Sequence, residues 1–213
     1  MIRIITVERE YGSQGAEYAM HLARKLNWKL IDHCLIEEIA HKAGITSSLA
    51  EQYDERLDPW YYRVGKAFWH GSLERLPGIP DAEVFDSERM VGFVKNALLE
   101  ATEKGNCVVV GRGASCVLSG VPGVFHVFVY ASMARRMRWF EKNFPEQAKI
   151  SEQEILATDK RRAAYIRRFY DRDWTDRHIY QLMMNSCMGF DAMVGATIEA
   201  AGLVQAAEQQ HVG

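Results

Sequence analysis

The sequence predicts an α/β fold, a parallel sheet with helices on both faces, on three observations. Apolar runs of strand length alternate with segments whose apolar residues recur at helical spacing. A glycine turn joins the first run to the first helix. Polar residues stand directly after several of the runs, at the sheet edge where open parallel sheets bind their ligands.

The elements follow in chain order. IRIITV, from Ile2, is the first strand, and EREYGSQG follows it, with Gly12 and Gly15 bracketing Ser13 and Gln14. Ala19, Leu22, Ala23 and Leu26 then give the first helix its apolar face. Trp28 to Ile31 is a second strand, ending at Asp32. Leu35, Ile36, Ile39, Ala40 and Ala43 share one face of a helix that Gly44 stops. Thr46 to Pro80 is rich in aromatics and broken by Pro and Gly, and reads as an insertion of short helices and loops. Asp86 or Ser87 caps a helix carrying Val91, Val94, Leu98 and Ala101, which Gly105 ends. Cys107 to Val110 is a buried strand with Gly111-Arg112-Gly113 at its end, and Val124 to Tyr130 is another. Ser132 caps a helix bearing Arg135, Arg136 and Arg138. Ser151 and Glu154 form a capping box for a long basic helix. Tyr180 to Met184 is the last strand, leading to Asn185-Ser186, and a terminal helix over about 191–201 precedes a fraying tail.

Composition narrows the class. The chain has 213 residues, 48% hydrophobic and 25% charged, which suits one globular domain with an insertion. A formal net charge of -2 argues against nucleic-acid binding by bulk electrostatics. No apolar stretch reaches the ~20 residues of a spanning helix, and the first strand begins with no signal-peptide pattern. Cys34, Cys107, Cys116 and Cys187 are scattered, as expected of reduced thiols in a cytoplasmic protein. The seven histidines show no metal spacing, so no metal ligand is assigned.

Three constellations carry chemistry. The Gly12–Gly15 loop feeds a helix N-terminus, where free N–H groups and the helix dipole favour an anion. A nucleotide P-loop adds a lysine and a Ser/Thr hydroxyl, and here Gly15 and Glu17 stand roughly in their places. The plain alternative is a tight turn. Arg9, in front of the loop, would place a guanidinium near a phosphate or pair with a neighbouring glutamate. Arg112 between two glycines suits a phosphate or carboxylate, against the alternative of a structural salt bridge. Lys160, Arg161, Arg162, Arg167 and Arg168 gather on one helix, with Arg161 and Arg168 on a common face. They would stabilise charge on a transferring phosphoryl group. The alternatives are a solvated basic face or a nucleic-acid groove, the latter diluted by Glu152, Glu154, Asp171, Asp173 and Asp176. Asp32 would accept hydrogen bonds from a substrate, hold a magnesium water, or cap its helix. The aromatics from Trp60 to Trp69 would stack on a base, or belong to core or interface.

These residues resemble the cytidylate kinase-like family of P-loop nucleoside monophosphate kinases. The resemblance rests on ITVEREYGSQGAEYAMHLARKL with WKLID, VVVGRGASCVL, HVFVYAS leading into Arg135 and Arg136, DKRRAAYIRRFY with DW, and YQLMMNS. It implies a three-layer P-loop kinase-like fold with a five-stranded parallel core, an insertion over the acceptor (46–85) and a lid over the donor phosphates (145–175). It implies that Gly12, Ser13, Gln14 and Gly15 cradle ATP, and that Lys160, Arg161, Arg162 and Arg168 belong to the lid. Arg112, Asp32 and Asn185 would face a nucleotide or other small phosphorylated acceptor. ATP and Mg²⁺ are the expected cofactors, and a homodimer is left open. The sequence departs from true cytidylate kinases at Gly15-Ala16-Glu17, at Glu38, at Tyr130, at Asn185 and at Gly113. The expected activity is therefore phosphoryl transfer with Arg9 in place of the missing lysine, and the alternative is a catalytically weak nucleotide or phosphate binder.

Overall fold

The computed structural model describes residues 1–32 and 98–203, together with 91, 92, 95 and 96. The expected helix from Leu35, the insertion with its Trp60–Trp69 aromatics, the cap at Asp86 or Ser87, the departure at Glu38 and the tail beyond 203 lie outside the described residues.

Five strands form one parallel sheet in the order β2-β3-β1-β4-β5: β1 (Ile4–Arg9), β2 (Lys29–Ile31), β3 (Cys107–Val110), β4 (Val124–Tyr130) and β5 (Leu182–Asn185). The central strand β1 pairs with both β3 and β4, Val7 lying between Val110 and Val127. Helices among the described residues include α1 (Gly15–Leu26), α2 (Ala114–Val117), α3 (Met133–Asn143), α4 (Ser151–Tyr170) and α5 (Phe190–Ala200), and residues 98–102 are helical as well.

Strand parity divides the side chains. Ile5, Val7, Val108, Val127 and Met184 pack under Tyr18 and Leu22 of α1 and Met193 of α5. Ile4, Cys107 and Val109 face the other way, onto Leu98, Ala114 and Leu118. A third cluster joins Phe128 of β4 to Ile166 of α4 and to Trp174, Ile179 and Tyr180. Two buried polar links tie neighbouring elements: Thr6 Oγ1 meets His126 Nδ1 at 2.7 Å between strands, and Tyr18 Oη meets Thr197 Oγ1 at 2.6 Å between α1 and α5. Burial of each apolar side chain on these faces contributes about 1.5–3 kcal/mol, which makes the sheet a rigid platform for its loops.

Local chemistry explains two differences from the sequence reading. The capping box does not form. A 3₁₀ turn, Pro145–Ile150, runs directly into α4, so Ser151 is already αR and cannot adopt the extended cap conformation. Its hydroxyl instead donates to Glu141 at 3.4 Å, and Glu154 accepts from Arg161 at 3.1 Å. The last strand is also displaced along the chain, from the expected Tyr180–Met184 to Leu182–Asn185. Tyr180 is held off the sheet by its hydroxyl, which donates to the Trp174 carbonyl at 2.8 Å.

Candidate active site

The P-loop pattern puts glycines six positions and one position before its lysine. Counted back from Gly15, those places hold Arg9 and Gln14. Gln14 takes the conformation a glycine would, with φ 64°, and Gly12 has φ 79°. The loop therefore keeps a left-handed turn into α1 with different residues. Gly12 is required twice over, because a Cβ there would lie 3.0 Å from the Arg136 carbonyl oxygen. The first intrahelical bond runs from Tyr18 N–H to the Gln14 carbonyl, so the N–H groups of Gly15, Ala16 and Glu17 precede the helix ladder. Ser13 turns inward and is fully buried, its hydroxyl donating to the Glu10 carbonyl at 2.8 Å. Its side chain builds the loop rather than facing a ligand.

Arg9 and Gly15 are complementary. A Cβ on Gly15 would fall 2.5 Å from the Arg9 Cβ and 3.0 Å from its Cγ, so the arginine side chain fills the room a lysine stem would need. The Arg9 guanidinium continues to Gly111, where a Cβ would meet it head-on. Gly111, Arg112 and Gly113 are three successive left-handed residues, with φ 67°, 61° and 68°. A left-handed arginine is uncommon, and this turn aims it at the crevice beyond β3.

Helix α4 seals the front of the loop. Asp159 accepts from the Tyr11 N–H at 2.8 Å and from Arg136, and Arg162 donates to the Arg9 carbonyl at 2.6 Å. Arg136, only 5% exposed, also donates to the Tyr11 carbonyl at 2.7 Å and pairs with Glu10 at 3.4 Å. Arg162 lies over the Tyr11 ring.

Glu8, Arg9, Arg112, Arg161, Arg162 and Tyr165 border a cavity of about 40 Å³. Burial and the adjacent Arg9 lower the pKa of Arg162, and burial lowers that of Arg9, against the pull of Glu8. Glu8 is 4% exposed. Burial raises its pKa, opposed by Arg9, Arg162, the Trp174 indole and the Ser115 N–H. A second and larger hollow, about 370 Å³, opens beside the start of α1 between Gln14, Glu17, Arg135, Arg138, Trp139 and Lys142. The Trp139 indole N–H donates to Glu17 at 3.0 Å across it.

The structure thus brings Arg9, Arg112, Arg161 and Arg162 together, and leaves other expected residues apart. Lys160 and Arg168 are exposed, and the Arg168 guanidinium sits 5.2 Å from the Phe169 ring. Asp32 follows β2 and Asn185 ends β5, at opposite edges of the sheet, four strand spacings or roughly 19 Å apart. One small acceptor does not reach both. The Asn185 side chain accepts from the Cys187 N–H at 3.0 Å, capping a local turn. Among the described residues no cluster of three or more His, Cys, Asp or Glu forms a metal-ligand set. Sequence reasoning missed Glu8, Asp159 and Arg136. The one available signal was parity, since Ile4, Thr6 and Glu8 alternate on one face of β1 and carry a carboxylate to a buried position.

The comparisons show the family and the fold. Residues 4–187 match the cytidylate kinase-like family. The chain belongs to that family. Its function is accordingly P-loop kinase-like. Among solved structures, an uncharacterized protein from Eubacterium ventriosum is similar at TM-score 0.67 and 19% identity, over 95% of this chain and 99% of that one. Shikimate kinase from Bacteroides thetaiotaomicron is similar at 0.52 and 18%, over 92% and 96%. Shikimate kinase from Acinetobacter baumannii, in complex with shikimate, is similar at 0.52 and 17%, over 97% and 96%. At these identities the likeness is one of fold. No curated protein matches the sequence significantly. Among the described residues no helix is long and apolar enough to cross a membrane.

Proposed function

We propose that the chain transfers the γ-phosphoryl group of ATP to a small acceptor beyond the C-terminal ends of β1 and β3. The observation that carries this reading is the convergence of Arg9, Arg112, Arg161 and Arg162 on one cavity directly behind the loop. Cations held there before the reaction stabilise charge as it develops on the transferring group, each worth about 3–4 kcal/mol, or 10²–10³ in rate. The donor phosphates would rest on the N–H groups of Gly15, Ala16 and Glu17, with the base in the open hollow beside Trp139, Arg135 and Arg138. Arg112 would hold an anionic group of the acceptor, and Arg161 and Arg162 would close from α4. Lys160 and Arg168, being exposed, would contribute field rather than contact.

Magnesium would enter with ATP and neutralise its phosphates. The Ser13 hydroxyl is turned inward, onto the Glu10 carbonyl, while Ala16 and Glu17 stand in the places of the P-loop hydroxyl and Glu17 is engaged by Trp139. Asp32, just past β2, is the carboxylate we propose for it through water.

ADP release measured at millimolar ATP and magnesium over a panel of acceptors tests the proposal. Turnover with any acceptor supports it, and silence across the panel sinks it. A second reading, a nucleotide sensor without turnover, draws on Asp159, whose carboxylate already takes the Tyr11 N–H of the loop. Calorimetry separates the two: a sensor binds ATP without consuming it.

A further inference from the structure

Among the residues on the cavity wall Glu8 is the one of opposite charge to the arginines, and Arg9 and Arg162 favour its ionised form. It stands at the end of β1, immediately before Arg9, and its parity turns it toward α4 and Trp174 rather than α1. It lines the same 40 Å³ space as Arg9, Arg112, Arg161 and Arg162, and it is the only carboxylate doing so among the described residues. Its Oε1 is buried with no hydrogen-bond partner among them. A buried carboxyl oxygen left without a donor costs about 1–3 kcal/mol or more, so such an atom calls for an explanation.

Resting on the phosphotransferase reading above, we infer that Glu8 is the catalytic base and that the acceptor reacts through an alcohol hydroxyl, its anionic group held by the neighbouring arginines. The hydroxyl oxygen attacks the γ-phosphorus of ATP and forms a new O–P bond. The bond from that phosphorus to the β,γ-bridging oxygen breaks, its electron pair leaving on ADP. The hydroxyl proton passes to Glu8 Oε1, and the resulting carboxylic acid later loses it to solvent.

Three considerations favour a hydroxyl over a phosphate as the attacking group. A phosphate monoester is already largely ionised near pH 7, so it needs no base, and a carboxylate beside it only repels it. A hydroxyl keeps its proton and does need one. The space beside Glu8, about 40 Å³, admits water-sized groups, which suits a hydroxyl. The groups facing the carboxyl are Arg9 on its own strand, Arg162, Tyr165 and Tyr170 on α4, Cys116 on α2, and Tyr180 ahead of β5. The two arginines favour its charged form, while burial among the others opposes it more strongly, which moves the group toward the pH range where a base works best.

Water and MgATP are the simplest probes, because water is itself a hydroxyl small enough for the space. ATP affinity is measured by calorimetry, and ATP hydrolysis is followed against pH, for the wild type and Glu8→Gln. The same two proteins are assayed with a panel of polyol monophosphates and hydroxy acids and, separately, with nucleoside 5′-monophosphates. The inference predicts equal ATP affinity, hydrolysis in the wild type that falls on the acid side through one ionisation, and a 10²–10⁴-fold loss with that limb removed in Glu8→Gln. It predicts transfer to the hydroxyl panel with the same dependence on Glu8. Hydrolysis and pH profile unchanged in Glu8→Gln overturn it, as does transfer confined to the monophosphate panel. ATP bound by the wild type but neither hydrolysed nor passed to any hydroxyl also overturns it. No ATP binding by either protein overturns the phosphotransferase reading itself, and the inference with it.

Discussion

Placing an alanine at Gly15 separates two physical effects of opposite sign. Gly15 is the first residue of α1 and has an ordinary helical backbone, so propensity alone favours alanine by up to about 1 kcal/mol. The new Cβ, however, would lie 2.5 Å from the Arg9 Cβ, 3.0 Å from its Cγ and 3.2 Å from the Val129 Cβ. Real Cβ atoms do not approach so closely, and the neighbours belong to the two central strands, which have little room to yield. Overpacking of this kind costs about 1–3 kcal/mol, which exceeds the propensity gain. For a chain of this size that lowers Tm by roughly 2–12 °C. The identity of the clashing atom supplies the control. Arg9→Ala keeps the Cβ, the nearer contact at 2.5 Å, and so retains most of the cost of Gly15→Ala while relieving only the 3.0 Å approach to Cγ. Arg9→Gly removes the Cβ too and cancels most of that cost, a coupling of about 1–3 kcal/mol. Urea unfolding of the two double-mutant cycles measures both. A Gly15→Ala chain as stable as the wild type, or equal coupling in the two cycles, would show that Arg9 does not fill the lysine's place.

Other outcomes follow from the same geometry. Gly12→Ala destabilises by about 1–3 kcal/mol, through its φ of 79° and the 3.0 Å approach to the Arg136 carbonyl; an unchanged urea midpoint would contradict that. Arg136→Ala leaves Asp159 and Glu10 without their buried partner and costs about 3–5 kcal/mol, read from the same unfolding curves. Because the folded state raises the pKa of Glu8, the native chain binds its proton more tightly than the unfolded one. Stability from that group is present below the ordinary carboxyl value of 4.5 and is lost as pH rises through the folded value. Glu8→Gln is therefore expected to gain stability relative to the wild type as pH rises above 4.5, and a pH-independent difference would contradict it. His126 runs the other way. Burial lowers its pKa, so its contribution falls as pH drops below 6.5, and His126→Gln is expected to flatten the acid side of the stability curve.

The sheet was legible because its signals are local. β3 is a continuous apolar run and β1 and β4 are largely apolar, as strands buried on both faces are, and the loop before α1 carries its glycine in sequence. Arg112 was legible for a similar reason, since flanking glycines announce a left-handed turn. What sequence could not give is set by distance along the chain. Asp159 meets Tyr11 across 148 positions, and Arg136 meets the same loop across 125. No spacing rule on α3 or α4 reports that. On the long basic helix Arg161 and Arg168 read as sharing a face, yet the fold separates them. Arg161 and Arg162 face the loop, while Lys160 and Arg168 face solvent. Strand order, which puts Asp32 and Asn185 at opposite edges, is likewise a property of the assembled sheet. Glu8 is an intermediate case. Its parity was readable, but a glutamate in the run EREYG reads as one more surface charge until Trp174 and α4 cover it.

The account depends on the loop and its arginines forming a working phosphoryl-transfer site without the P-loop lysine. The most direct measurement is ADP release from MgATP, with acceptors from both panels, for the wild type and for Arg162→Ala and Arg112→Ala. The account predicts turnover in the wild type and a loss of about 10²–10³-fold in each variant. ADP release that is zero with every acceptor, or that is unchanged when either arginine is removed, would contradict it.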